Sequence, residues 1–537
     1  MTQLTGPKSV DAIIIGAGFA GMYALKRLRD DLELSVVAFE TASDVGGTWY
    51  WNRYPGARCD AESIFYSYSF DPELDQDWTW TERYAAQPDI LAYAQRVADR
   101  HDLRRDIRFS TTVVAAAWDS TSHIWTVELD SGEHVTARFL IGAAGCLSAV
   151  QIPDIDGIED FAGEVYHTGR WPHEGVDLAG KHVVVIGTGS SGVQLIPVIA
   201  EEAASVTVLQ RTPNFTIPAR NRDYTDEELE TTKRTYPILR AESRETFGGA
   251  ILVPPPGKAF DLTEDERKAS LDARWVEGGG AFMFAFEDSL SDLEANEVAA
   301  DYVRERIRDT VTDSAAAEQL TSMEFPLGTK RLCIGTDYYE AFNRDNVHLV
   351  GLRQHPIQRV VPNGVELDGP TVEADVIVFA TGYDAITGPL SRIDIRGKDG
   401  ATLRDKWQQA ANAYLGVAVA GFPNLFIITG PGSPSVLTNM ISAIEQHVDW
   451  IVDYVGQMCS NGVRSTVADA TAEQEWMDHV AELAGTTLFP HAASWYTGAN
   501  VPGKPAAFLP YVAGIPTFRD VCDGVAKDGY RGFIEQR

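Results

Sequence analysis

The chain has 537 residues, enough for about three or four domains. Its hydrophobic (44%) and charged (23%) fractions are those of a globular protein. Asp and Glu (77) outnumber Lys and Arg (45), which gives a formal net charge of −32. This acidity argues against a nucleic-acid binder and against docking on an anionic membrane, because both depend on clustered cations.

The cysteines and the N-terminal segment favour a cytoplasmic location. The first ten residues contain no apolar stretch typical of a secretion signal. No segment reaches the roughly 18 consecutive apolar residues of a membrane helix. The cysteines form no C-x-x-C pair, which argues against a dithiol redox centre and a cysteine zinc site, and no metal site is predicted. The five cysteines are Cys59, Cys146, Cys333, Cys459 and Cys522.

A strand–turn–helix unit near the start of the chain predicts a dinucleotide site. An apolar run over 10–15 enters a G-x-G-x-x-G turn, and an amphipathic helix pattern follows. The glycines permit a tight turn, close approach of a pyrophosphate and packing of helix on strand. A second strand over 34–39 ends at Glu40, whose carboxylate can accept hydrogen bonds from ribose hydroxyls. The three glycines of the turn are Gly16, Gly18 and Gly21.

A second unit of the same type differs where the first has its acid. A strand over 182–186 precedes the turn, and the next strand over 206–209 leads into Arg211. An arginine there pairs with a 2′-phosphate, which a carboxylate would repel. We therefore expect FAD at the first turn and NADP(H) at the second. The second turn consists of Gly187, Thr188, Gly189, Ser190, Ser191 and Gly192.

These units predict an α/β fold with two Rossmann-like dinucleotide-binding domains, one for FAD and one for NADP, and a helical insertion. The insertion is highly charged and has the periodicity of helices over 225–240 and 291–310. Helices are also predicted over 445–454 and 471–483. The predicted parts are 1–145 (FAD domain), 146–222 (NADP domain), 223–326 (insertion), 327–383 (NADP domain) and 384–537 (FAD domain).

The segment between the turns has the form F-x-G-x-x-x-H-x-x-x-W-P and contains His167 and Trp171. Because this segment lies between two such turns, the chain resembles the Baeyer–Villiger monooxygenases. These are FAD- and NADPH-dependent enzymes that convert ketones into esters or lactones. It looks closest to the branch of phenylacetone and steroid monooxygenases. In the family this histidine lies at the domain junction, so we expect no direct part in the chemistry. The other matching segments are 46–60, 329–331, 337–340, 343–347, 430–435 and 494–504.

The resemblance implies two catalytic residues. Arg331 matches the arginine that stabilises a C4a-peroxyflavin and then its adduct with the ketone. A guanidinium suits this task because it stays charged and offers a rigid fork of donors. Asp60 matches the aspartate that pairs with this arginine and positions it.

The resemblance also implies binding positions. Arg211 and Lys330 match a cradle for the 2′-phosphate, and Trp495 matches a tryptophan on a mobile loop that contacts NADP. The further cofactor-binding positions are Gly47, Thr48, Trp49, Arg58, Asp60, Tyr66, Val113, Gln194, Thr212 and Met440. The positions of the substrate pocket are Cys146, Leu147, Ser435, Val436 and Leu437.

We therefore predict an enzyme that inserts one oxygen atom of O2 beside a ketone carbonyl. The resemblance of the loop over 435–437 to the phenylacetone-type branch implies bulky, aryl or cyclic ketones, and sulfoxidation is an expected side activity. The expected partners are O2 and a small-molecule ketone, with no nucleic acid or membrane, in a monomer or small homo-oligomer. Two alternatives remain: a flavin monooxygenase that oxidises nitrogen or sulfur nucleophiles, and an uncoupled NADPH-binding flavoprotein.

Overall fold

The computed structural model describes residues 8–537. The first seven residues belong to the segment assessed for a secretion signal and to the predicted FAD domain, and they lie outside the described residues. Within residues 8–537 no helix is long and apolar enough to cross a membrane. The framework of the fold consists of two separate sheets, and one strand of each sheet leads into a glycine turn.

The first sheet is centred on the strand Ser9–Ile15, which pairs in parallel with Val36–Phe39 and with His134–Gly142. Successive side chains of the central strand enter two different apolar cores, because a strand alternates its side chains between the two faces of a sheet. The eight strands, in spatial order, are Asp394–Arg396, Val113–Asp119, Ile124–Leu129, His134–Gly142, Ser9–Ile15, Val36–Phe39 and Ile107–Arg108, with Leu425–Ile427 also paired to His134–Gly142.

The second sheet is entirely parallel and has the strand His182–Ile186 at its centre. Its central strands are buried apolar runs, as expected when helices and loops cover both faces. The five strands, in spatial order, are Val347–Gly351, Ser205–Gln210, His182–Ile186, Val376–Phe379 and Glu164–His167.

Smaller strands and the helices complete the fold. A three-stranded antiparallel sheet consists of Ile357–Val361, Gly364–Leu367 and Thr371–Glu373. Two further strand pairs are Thr216–Pro218 with Cys333–Gly335, and Ser465–Ala468 with Phe533–Gln536. The α-helices are Phe19–Lys26, Thr48–Trp51, Pro72–Asp77, Gln87–Arg100, Ser190–Ile199, Asp226–Arg244, Glu264–Glu277, Leu293–Thr310, Ser314–Leu320, Tyr338–Ala341, Gly388–Ser391, Leu403–Gln409, Met440–Ser460, Ala470–Gly485 and Gly514–Lys527.

The predicted α/β fold with two Rossmann-like units is confirmed. Residues 226–320 contain helices joined by loops and contribute no strand in the part of the chain that the structure describes. The helix predicted over 445–454 is longer than expected and spans Met440–Ser460. The strand predicted from residue 34 begins at Val36. The division of the chain into domains stays a prediction.

Each glycine turn is fixed by steric constraints at its first and third glycines. Gly16 and Gly187 have φ angles of +103° and +112°, a backbone conformation that residues with a side chain rarely adopt. A Cβ added to Gly21 would lie 1.9 Å from the carbonyl oxygen of Gly16, and one added to Gly192 would lie 2.4 Å from that of Gly187. The third glycine therefore allows the helix to pack directly on the turn.

These contacts predict that Gly192→Ala destabilises the protein whereas Gly189→Ala does not. A Cβ at Gly189 meets no atom within 4 Å. We expect Gly192→Ala to lower the free energy of unfolding by about 2 kcal/mol, the cost of overpacking. The change for Gly189→Ala should stay within about 0.5 kcal/mol. Urea unfolding of both variants without NADP measures the difference, and equal midpoints would contradict a packing role for Gly192.

Candidate active site

One cavity of about 1960 Å³ connects the two glycine turns. Both turns follow the carboxyl ends of parallel strands, where α/β proteins bind their ligands. Nearly all the site residues predicted from the sequence line this cavity. The exceptions are Gly21 and Gly192, which pack behind their turns, and Ser435, which is buried beside the cavity with a φ of +39°.

The first turn has the form expected for the FAD pyrophosphate. A Cβ on Gly47 would lie 2.9 Å from Cα of Gly18, so two glycine segments face each other across a narrow gap. Glu40 is buried beside them, and its carboxylate accepts hydrogen bonds from the backbone N–H groups of Ala17 (2.7 Å) and Ala42 (2.8 Å). Burial raises the pKa of Glu40, although these donors oppose the rise. The donors fix the carboxylate at the end of its strand.

The second turn is joined to the segment that precedes Asp60. Gln194 on the following helix accepts a hydrogen bond from the hydroxyl of Tyr54 (2.7 Å) and donates one to the carbonyl of Arg58 (3.1 Å). The Arg58 guanidinium forms an ion pair with Glu82 at 2.8 Å. Arg58 and Gln194, both predicted as cofactor-binding positions, thus contact each other as well as lining the cavity.

Arg331 is held inside the cavity by three hydrogen bonds. Its Nε and Nη2 donate to the same oxygen, Oδ2 of Asp60, at 3.0 and 2.5 Å, and its Nη1 donates to the carbonyl of Val436 at 2.6 Å. Burial lowers the pKa of Arg331, but the Asp60 carboxylate more than offsets this and the net shift is upward. These hydrogen bonds use three of the five guanidinium N–H donors.

Two further cations lie at the second turn without a carboxylate partner among the described residues. Arg211 and Lys330 both line the cavity, and Lys330 Nζ lies 4.6 Å from the ring centroid of Phe325. Burial and the positive charges of Arg211 and Arg353 lower the pKa of Lys330. The cationic pair predicted from the sequence is therefore brought together.

Around the first turn, Trp49 Nε1 donates to the hydroxyl of Tyr66 at 3.2 Å. The helix that begins at Met440 starts at the cavity wall, and Val113 lines the same wall. Burial raises the pKa of the Cys146 thiol to about 11, so this pocket residue is uncharged. Cys146, Leu147, Val436 and Leu437 form an apolar wall.

The outer part of the cavity is also apolar. Phe247, Ile251, Leu252 and Val253 line it, and their exposed fractions are 42%, 37%, 39% and 65%. These residues belong to the long loop between the helices Asp226–Arg244 and Glu264–Glu277. Exposed large apolar side chains at the mouth of a pocket typically mark a binding surface.

Tyr496 is a site residue that the sequence prediction missed. It is buried at the cavity wall beside Trp495, with 4.3 Å between ring centroids. Burial raises the pKa of its hydroxyl, and the nearby Arg331 charge opposes that rise. Its proximity in sequence to Trp495, within a segment already singled out, was the available signal.

His167 lies outside the cavity lining, at the end of a strand of the second sheet. Its Nδ1 accepts a hydrogen bond from the N–H of Gly169 at 2.9 Å. Burial lowers the pKa of His167 to about 4. Trp171 is likewise buried and packs on Tyr166. This placement is consistent with the supporting role expected for the histidine.

The depressed pKa of His167 predicts a loss of stability in acid. Unfolded chains take up the imidazole proton near pH 6.5, whereas the folded chain resists it down to about pH 4. The free energy of unfolding should therefore fall as the pH is lowered from about 6.5 towards 4. Urea unfolding at pH 7 and pH 5 should show a smaller fall for His167→Asn, which keeps an acceptor for Gly169. An equal fall would exclude His167 as a source of the acid sensitivity.

The comparisons with known proteins agree with this geometry. Residues 10–234 match the family model described as pyridine nucleotide-disulphide oxidoreductase. All five cysteines of the chain are free, so what the match supports is dinucleotide binding. The enzyme named Baeyer-Villiger monooxygenase from Pseudooceanicola batsensis is 42% identical over 530 residues, covering 98% of this chain and 96% of its own.

Two other relatives are about as similar. The structure of an oxidized steroid monooxygenase bound to NADP has a TM-score of 0.93 and 47% identity, with 98% of this chain and 99% of that chain covered. Phenazine N-monooxygenase PhzNO1 of Lysobacter antibioticus is 41% identical over 529 residues, covering 98% of this chain and 96% of its own.

The chain belongs to the Baeyer–Villiger monooxygenases, which are NADPH-dependent flavin monooxygenases. The family predicted from the sequence motifs is therefore confirmed. FAD and NADP(H) are likewise confirmed as its cofactors, since solved relatives hold both.

Proposed function

We propose that this protein binds FAD at the first turn and NADPH at the second, and inserts one oxygen atom of O2 beside a ketone carbonyl. The observation that carries this proposal is the Arg331 guanidinium, held by Asp60 and the Val436 carbonyl inside the cavity that joins the two turns. When bound, FAD accepts hydride from NADPH and delivers one atom of oxygen to the substrate.

The chain supplies positioning and charge. The remaining donors of Arg331 stabilise negative charge that develops on oxygen beside the flavin, where a partly buried guanidinium acts more strongly than in water. Asp60 orients the guanidinium through two hydrogen bonds to one carboxylate oxygen. Tyr496, which is buried near this pair, helps to exclude water, which would otherwise compete for the same donors.

The apolar walls support a bulky, aryl or cyclic ketone as the substrate. Leu147, Val436 and Leu437 surround the inner pocket, and the exposed apolar side chains of the 247–253 loop extend it outwards. A large apolar ketone would bury surface against both regions, gaining about 25 cal/mol per Å². Oxidation of a sulfide in the same pocket is the expected side activity.

A panel of ketones tests the reaction. The FAD-loaded protein is mixed with NADPH, O2 and aryl, cyclic or steroidal ketones, and esters or lactones are detected by mass spectrometry. We expect product from at least the aryl or polycyclic members, with NADPH consumed in step with product. Consumption of NADPH to hydrogen peroxide without any ester would overturn the proposal.

Replacement of Arg331 tests its role. We expect Arg331→Ala to lower ester formation by roughly 100-fold or more, the loss typical of removing a donor that stabilises a transition state. Reduction of the flavin by NADPH should survive, as followed by absorbance without oxygen. Arg331→Lys keeps the charge and should retain part of the activity. Undiminished ester formation by Arg331→Ala would remove Arg331 from the reaction.

Replacement of Arg211 tests the nicotinamide cofactor. Arg211→Ala removes a cation that binds the 2′-phosphate, so it should weaken the binding of NADPH by roughly 10- to 100-fold, as for a hydrogen bond to a charged group. Because NADH lacks that phosphate, its binding affinity should change by about twofold or less. KM values for both cofactors measure the difference. Equal losses would contradict the assignment of Arg211.

Oxidation of a ring nitrogen is the second candidate, favoured by the similarity to a relative named phenazine N-monooxygenase. The same cavity could hold a flat aromatic heterocycle between its apolar walls. Adding phenazines to the panel distinguishes the two: an N-oxide without any ester would favour this candidate over ketone oxidation.

A further inference from the structure

Eight cations line the cavity, and Arg353 is among those without a role in the proposed function. Four of the eight form ion pairs with carboxylates: Arg58, Arg83, Arg331 and Arg353. The partners of the first three are half-buried side chains. The partner of Arg353 is Glu324, whose side chain is 71% exposed. Arg353 is thus a cation at the cavity whose counter-ion is largely in solvent.

The register of the second sheet brings Arg353 to the predicted phosphate site. The strand Val347–Gly351 pairs in parallel with Ser205–Gln210, with Gly351 opposite Gln210. The pairing continues one step further, because the N–H of Leu352 donates to the carbonyl of Gln210 at 2.8 Å. Arg353 and Arg211 therefore leave neighbouring strands at the same edge of the sheet.

Lys330 completes the group from a separate loop. The positive charges of Arg211 and Arg353 both lower the pKa of Lys330, so each arginine is close enough to Lys330 to repel it. A chain with a net charge of −32 gathers three cations here, and within residues 8–537 their one ion pair with a carboxylate is that of Arg353 with the exposed Glu324. An anion at this position would relieve the repulsion.

We propose that Arg353 binds the 2′-phosphate of NADPH together with Arg211 and Lys330, and that Glu324 holds the Arg353 guanidinium until the phosphate replaces it. The inference rests on NADPH binding at the second turn. A phosphate offers three acceptor oxygens, enough for one hydrogen bond from each cation. Arg353 is then a residue that contributes to the choice of NADPH over NADH.

A matched pair elsewhere in the chain supplies the control. Arg359 and Glu366 also form an exposed Arg–Glu pair, at 2.9 Å against 2.7 Å for Arg353 and Glu324. Arg359 lies outside the cavity lining. If Arg353 only forms a surface ion pair, its replacement should have as little effect on ligands as that of Arg359.

The test measures binding of 2′,5′-ADP and of 5′-AMP to the FAD-loaded protein by isothermal titration calorimetry. These probes differ by the phosphate in question and require no turnover. We expect Arg353→Ala to weaken the binding of 2′,5′-ADP by roughly tenfold, as for one lost hydrogen bond to a charged group. The affinity for 5′-AMP should stay unchanged. Arg353→Lys should recover part of the loss, and Arg359→Ala should bind both probes like the unmodified protein.

Glu324→Gln gives a result of opposite sign. This substitution removes a carboxylate that competes for Arg353 and repels phosphate, so it should increase the affinity for 2′,5′-ADP by a few-fold. Unchanged 2′,5′-ADP affinity in Arg353→Ala, or equal losses for both probes, would overturn the role of Arg353. If Arg211→Ala still weakens 2′,5′-ADP selectively, the second turn remains the NADPH site. If Arg211→Ala also shows no selectivity, the site itself is wrong and the inference fails with it.

Discussion

The whole site depends on keeping one guanidinium charged and correctly oriented inside a largely apolar cavity. Burial alone disfavours the charged form of Arg331, and Asp60 and the Val436 carbonyl offset that cost. These two groups come from distant parts of the chain, residue 60 after the first turn and residue 436 just before the helix Met440–Ser460. The Rossmann-like units and the loops around them must therefore fold correctly before the ion pair can form.

The same balance of charge recurs at the cofactor sites. An acidic chain has to bind two polyanionic cofactors, and eight of its 45 Lys and Arg residues line the cavity. The turns at Gly16 and Gly187 offer backbone N–H groups and helix N-termini for the pyrophosphates. Arg211 and Arg353, which we propose bind the phosphate that distinguishes NADPH from NADH, follow neighbouring strands at the edge of the second sheet.

Local sequence patterns were sufficient to predict the two turns, their strands and the family. Arg331 and Asp60 could be named because each lies in a recognisable segment, although 271 positions separate them. Other features depend on tertiary contacts and could not be predicted. The approach of Arg353 to Arg211 follows from strand register, which short-range patterns do not specify. Ser435, predicted to belong to the substrate pocket, is instead buried beside it and has a φ of +39°.

The measurement that tests the central claim most directly is a double-mutant cycle between Arg331 and Asp60, read as ester formed per NADPH consumed. If Asp60 acts by positioning Arg331, Asp60→Ala should lower ester yield in the unmodified protein and have no further effect in Arg331→Ala. Independent losses that multiply in the double variant would show that the two residues act separately, and would contradict a positioning role for Asp60.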